Sequence, residues 1–114
     1  MADDIRAHAS HIGHSPQKVR LVIDLVRGKD IVEALDMLKF VQNAAARPVS
    51  KVLSSAMANA EENFGVSRDD LYVYKIYADA APSRRWRRFG ARGRFKPIIR
   101  RSSHITVILR ERAF

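Results

Sequence analysis

LYVYKIYADAAPSRRWRRFGARGRFKPIIRRSSHITVIL, residues Leu71–Leu109, sets two strand-like runs on either side of a cationic segment. Leu71–Ala78 (LYVYKIYA) is rich in tyrosine and β-branched residues, and His104–Leu109 (HITVIL) is continuous strand material. Between them, the eighteen positions Arg84–Arg101 hold nine basic residues and no acid. These are Arg84, Arg85, Arg87, Arg88, Arg92, Arg94, Lys96, Arg100 and Arg101. The whole chain has 21 basic and 12 acidic side chains, a net charge of +9. Without that segment twelve of each remain, so a neutral body carries a cationic arm. Neutralising like charges at this density takes a polyanion, and nucleic acid fits best.

An arm between two strands is most simply a continuation of both into one long hairpin. About ten residues per side at ~3.3 Å each would carry its tip roughly 30 Å beyond the core. Gly90-Ala91-Arg92-Gly93 is the natural reversal, since glycine takes positive φ without steric cost. An isolated two-stranded hairpin is marginal in water even without repulsion, which predicts an arm mobile alone and ordered on its anionic partner. Period-two alternation puts Arg85 and Arg87 on one face and Arg84, Trp86 and Arg88 on the other. Cations on both faces suit an arm surrounded by phosphates. Arginine outnumbers lysine here, and its planar fork bridges phosphates, pairs with guanine and stacks on bases. Trp86, Phe89 and Phe95 can stack on unpaired bases, while Trp86 can equally pack across the hairpin.

Outward from the arm, the remaining segments read as one short strand and three helices. IRAHASHI (residues 5–12) alternates weakly and suits a sheet edge. Ser15-Pro16 makes a helix start, with Val19, Val22, Ile23 and Val26 at helical spacing and Gly28 as the stop. Asp30 with Glu33 resembles a capping box opening a second helix, whose stripe is Ile31, Ala34, Leu35, Leu38 and Val41. A third runs from about Ala45 to Asn63, burying Val49, Val52, Leu53, Ala56, Met57 and Ala60 and ending at Gly65. Pro48 falls in its first turn. The fold class is α+β: three helices packed on a small antiparallel three-stranded sheet, with a long basic β-hairpin extension. At 114 residues this is a single domain, with a body of residues 1–81 and 102–114 and an arm of residues 82–101.

The chain has no cysteine, which excludes disulfides, thiolate metal sites and cysteine nucleophiles. No apolar run approaches the ~18 residues that span a membrane, and the N-terminus MADDIRAHAS is unlike a signal peptide. A soluble, intracellular protein is expected. His8, His11 and His14 recur every three residues, but in a strand that spacing sends successive side chains to opposite faces, so no metal site is expected. No Ser/His/Asp set, carboxylate pair or phosphate-binding glycine loop indicates an enzyme, and no cofactor is expected. Two other readings compete with RNA. An architectural DNA-binding protein can insert a basic β-ribbon arm into a groove, usually as a dimer. A cationic hairpin on an anionic membrane would need a lipid-facing apolar surface, which the arm lacks.

Three ordered motifs resemble one family over nearly the whole chain. SPQKVRLVIDLVRGK (Ser15–Lys29) is similar to the first helix of the bacterial large-subunit ribosomal protein number twenty-two, and VLSSAMANAEEN (Val52–Asn63) to its long helix. Pro82–Leu109, with Ser-His-Ile-Thr at Ser103–Thr106, resembles its arm and closing strand. The resemblance implies a cytoplasmic structural component of the large ribosomal subunit that binds 23S rRNA directly and assists subunit assembly. Its partners would be 23S rRNA, neighbouring large-subunit proteins and the nascent polypeptide, with no membrane and no homo-oligomer. On the first helix, Ser15, Gln17, Lys18 and Arg20 match the family's polar rRNA-contacting face. Ser103 and His104 fall in its closing strand as further rRNA contacts. The arm tip, Phe89, Gly90, Ala91, Arg92, Gly93 and Arg94, would help form the wall of the nascent-peptide exit tunnel. The tip also departs from the family's usual Pro-Arg-Ala-basic-Gly-Arg-Ala: Phe89, Gly90 and Phe95 stand at the first, second and last of those positions, losing one cation and gaining two rings.

Overall fold

A computed structural model describes the backbone of residues 4–81, 84–89, 95–100 and 102–112, and the side chains of 4–81 (His11 aside) and 102–112. In chain order the elements are β1 (Ile5–Ile12), α1 (Pro16–Val26), α2 (Ile31–Leu38), α3 (Ala46–Asn63), β2 (Leu71–Ala80), β3 (Arg84–Phe89), β4 (Phe95–Arg100) and β5 (Ser103–Glu111). A 3-10 turn, Arg68–Asp70, leads into β2. The body sheet has the order β1-β5-β2 and is antiparallel at both pairings. β3 and β4 form a separate two-stranded ladder. The expected helices on a three-stranded antiparallel sheet are present, with β1 at an edge.

β5 is central and pairs on both sides, in keeping with the strand-forming run HITVIL. Ser103, Ile105, Val107 and Leu109 are buried against the helices, and Ile108 is buried on the opposite side of the strand. β2 buries Leu71 and Val73, then Ile76 and Ala78. The step of three falls where the register shifts between Val73 and Lys75, so a bulge resets the alternation and keeps both halves facing the core. Val19, Val22, Ile23 and Val26 of α1, Ile31, Ala34 and Leu38 of α2, and Val49, Val52, Leu53, Ala56 and Ala60 of α3 complete that core. Leu35, Val41 and Met57 pack against it only partly buried, and Val41 lies beyond the end of α2.

The helix ends depart from expectation in one respect. Asp30 occupies the N-cap position of α2 but makes no side-chain cap. Its carboxylate accepts instead from Arg112 Nε, a charge-assisted bond that outcompetes a neutral backbone N–H. Ser15 likewise sits at the N-cap of α1 without a side-chain cap bond, leaving Pro16 to set the start. Gly28 (φ 79°) and Gly65 (φ 64°) end α1 and α3 in the left-handed region, as glycine permits.

The free edge of β2 is covered by the chain that leaves α1. Gly28 N–H donates to Val73 O at 3.1 Å, and Val73 N–H donates to Lys29 O at 2.8 Å. Arg27 Nη2 donates to Ile76 O at 3.0 Å. Arg20 places Nε and Nη2 on Ala78 O at 3.2 and 2.8 Å. Edge carbonyls that could template another strand are thereby satisfied internally.

Candidate nucleic-acid interface

The arm leaves the body at the end of the β2–β5 pairing. The β2–β5 ladder ends at Ala80↔Ser103, and Ala81 N–H donates to Ser102 O at 3.0 Å. The β3–β4 ladder then runs Arg84↔Arg100, Arg85↔Ile99, Trp86↔Ile98, Arg87↔Pro97, Arg88↔Lys96 and Phe89↔Phe95. Three residues separate Ala80 from Arg84 on one limb and two separate Arg100 from Ser103 on the other. Two of the six rungs, Arg84↔Arg100 and Arg88↔Lys96, set cations at directly opposite positions. Like charges opposed across a ladder destabilise it, by a few tenths to about 1 kcal/mol per pair. Such a ladder is stabilised by anything that brings negative charge to it. The expected tip residues Gly90, Ala91, Arg92, Gly93 and Arg94, together with Arg101, lie outside the described residues.

On the body, the expected contact residues separate into two kinds. Gln17 and Lys18 are exposed on α1, and Ser15 is half-buried at its start. Arg20 projects from the same helix, but its guanidinium holds the Ala78 carbonyl. Ser103 is fully buried, and its Oγ donates to His14 O at 2.9 Å. That hydroxyl ties the β1–α1 loop to the central strand at the root of the arm. Ser103 is therefore a structural residue in this fold rather than a surface group. His104 is half-buried with its ring 5.7 Å from that of His8, and His8 Nδ1 lies 2.9 Å from Thr106 Oγ1.

The helix-free face of the sheet carries its own electrostatics. The Arg110 guanidinium lies 3.4 Å over the Tyr74 ring and bonds the Asp4 carboxylate at 2.6 Å. That hydrogen bond, reinforced by the charge of Arg110, holds the Asp4 carboxyl below its ordinary value and raises Arg110 in turn. The pairing closes the β1–β5 end of the sheet.

Two cations escaped the sequence reading. Arg47 and Lys51 stand one turn apart on α3, exposed, in a stretch read only for its apolar stripe. Their spacing of four residues on one helix was the available signal. Among the described residues no three His, Cys, Asp or Glu side chains converge on a point that could hold a metal ion. No helix of the described residues is long and apolar enough to cross a membrane.

An α+β body with a basic two-stranded extension, in this element order, has relatives. The Large ribosomal subunit protein uL22 of Dehalococcoides mccartyi is 48% identical over 106 residues, covering 93% of this chain and 97% of the relative. The protein of the same name from Clostridium novyi is 44% identical over 110 residues, covering 96% and 99%. The family model described as Ribosomal protein L22p/L17e matches residues 7–110, a span running from inside β1 through the arm to the last residues of β5. Body and arm are thus matched as one continuous unit, and the chain belongs to the ribosomal protein L22p/L17e family.

Proposed function

We propose that this chain is a non-enzymatic structural constituent of the large ribosomal subunit, held in place by direct binding to 23S rRNA. The observation that carries the reading is the arm: its register sets Arg84 opposite Arg100 and Arg88 opposite Lys96 in a chain whose remainder is neutral. Neutralisation by phosphates turns that repulsion into attraction. Arg84, Arg85, Arg87, Arg88, Lys96 and Arg100 on the ladder, with Arg92, Arg94 and Arg101, supply phosphate contacts, and Trp86 supplies a stacking ring. Gln17, Lys18 and Ser15 on α1, with His104 at the arm's root, extend the contact onto the body. Arg20 acts as a positioning residue, since its fork fixes α1 to β2. The tip, Phe89 to Arg94, lies at the wall of the nascent-peptide tunnel, and neighbouring large-subunit proteins flank the body. The names and high coverage of the relatives support this setting, which in bacteria is cytoplasmic.

The test is to replace Arg84, Arg85, Arg87 and Arg88 together with glutamine and to measure 23S rRNA affinity across a salt series. Each lost phosphate contact should lower the slope of log K against log salt by ~0.7–0.9. The body should keep its melting temperature, and the tagged variant should leave the large-subunit peak of a high-salt sucrose gradient. Unchanged affinity and comigration would refute the role of the arm.

A further inference from the structure

We infer that the groove between β1 and the first half of α3 is a second RNA-binding site, gripping one strand of rRNA backbone independently of the arm. The inference rests on the rRNA reading above and adds a separate surface to it. The groove has a volume of about 400 Å³, within the size range of sites for nucleotide-sized groups. One wall is α3, where Arg47, Lys51 and Ser55 recur every four residues and so share a helix face. The other wall is β1, an edge strand, with His8 and His14 on the groove's lining. Ala7, Ala9, Ile12 and Val52 provide apolar floor, and no acid lines the groove.

The charge balance of the body makes this lining informative. The body's ion pairs join Asp24 to Arg27, Glu33 to Lys29, Asp36 to Lys39, Glu61 to Arg68, Asp4 to Arg110 and Asp30 to Arg112. Arg47 and Lys51 take part in none of them, so their charge is uncompensated within the described residues. By contrast, the groove beside α2 is lined by four acids, Asp30, Glu33, Asp36 and Asp69, against one cation, Arg68. A cationic rail above an apolar floor suits a single RNA strand, with phosphates on Arg47 and Lys51 and sugar or base on the floor. The His14 loop forming one end is fixed by the Ser103 hydroxyl, so the groove is preformed.

The experiment compares the full chain with an Arg47→Glu/Lys51→Glu variant for binding to 23S rRNA across a salt series. Both residues are exposed and take part in none of the body's ion pairs, and an acid at position 47 lies in the first turn of α3, so the melting temperature should hold. Reversal should weaken binding about tenfold and lower the salt slope by about 1.4–1.8, the loss of two phosphate contacts. The arm-neutralised chain should lose a further such increment when the same reversal is added. A photocrosslinker introduced as Ser55→p-benzoylphenylalanine should join rRNA in the reconstituted subunit. Wild-type affinity and slope in the reversed variant would overturn the site and leave the arm reading intact. Crosslinks to a protein instead of rRNA would overturn it in favour of an acidic protein partner. Absence of rRNA binding by the unaltered chain would overturn the function proposed above, and the site with it.

Discussion

Replacing Ser103 with alanine separates a structural role from a contact role at the root of the arm. The side chain is 0% exposed and its Oγ donates to His14 O at 2.9 Å. Alanine removes that bond, worth a net ~1 kcal/mol, and leaves the His14 carbonyl to find water or go unpaired. No cavity larger than one oxygen results, so the packing cost is small and the total is about 1–2 kcal/mol. At about 2.1 cal/mol/K per residue of unfolding entropy, a domain of this size loses roughly 4–5 °C per kcal/mol. The melting temperature of S103A should therefore fall by roughly 4–10 °C, read by circular dichroism or calorimetry. Affinity for 23S rRNA, measured well below the melting temperature, should stay close to that of the unaltered chain. An unchanged melting temperature with weakened RNA binding would refute the argument, because the hydroxyl would then be reaching RNA.

Leu53, fully buried between α3 and the rest of the core, should cost about 2–5 kcal/mol as Leu53→Ala, seen as a lower denaturant midpoint at unchanged m-value. Asp4→Asn tests the Arg110 pair through pH. Because the folded carboxyl titrates below its ordinary value near 3.9, its contribution is complete above that value and is lost as pH falls through the lower, folded one. The variant should be less stable than the parent at pH 7, and the gap should narrow below about pH 4 and close on further acidification. A gap that widened on acidification would refute the pairing.

Hydrophobic spacing carried most of the body. Val19, Val22, Ile23 and Val26 are four valines and isoleucines at helical spacing, and no other arrangement buries them together. The β2 bulge was not legible, because LYVYKIYA satisfies an unbroken strand equally well; only pairing with β5 reveals that Tyr74 is the extra residue. The Asp30 cap failed for a related reason. A capping box is a local pattern, and its competitor Arg112 arrives from the far end of the chain. The arm's charge was plain in the sequence, but its register was not, since period-two alternation says nothing about which positions face each other. The role of Ser103 was hidden as well: an Arg-Ser-Ser-His run reads as polar surface until the centre of a sheet closes over it. Arg47 and Lys51 were obscured by the strong apolar stripe of the same helix.

The pairing of Arg84 with Arg100 and of Arg88 with Lys96 has a thermodynamic consequence that ties folding to assembly. Each opposed pair disfavours the ladder by a few tenths to about 1 kcal/mol, so two cost roughly 0.5–2 kcal/mol. A two-stranded ladder has little else to offset that amount. The body does not share the burden, because its ladder ends at Ala80↔Ser103 and its own basic and acidic side chains balance in number. Any polyanion that relieves the repulsion must then favour the paired form of the arm by the same free energy, and the paired form must bind that polyanion more tightly. Neutralising one member of each pair, as Arg84→Gln with Arg88→Gln, should therefore have opposite effects on the two halves of the cycle. It should strengthen hairpin pairing in the free chain, seen as slower amide exchange in β3, while weakening rRNA affinity. If both moved in the same direction, the two equilibria would not be linked through these rungs.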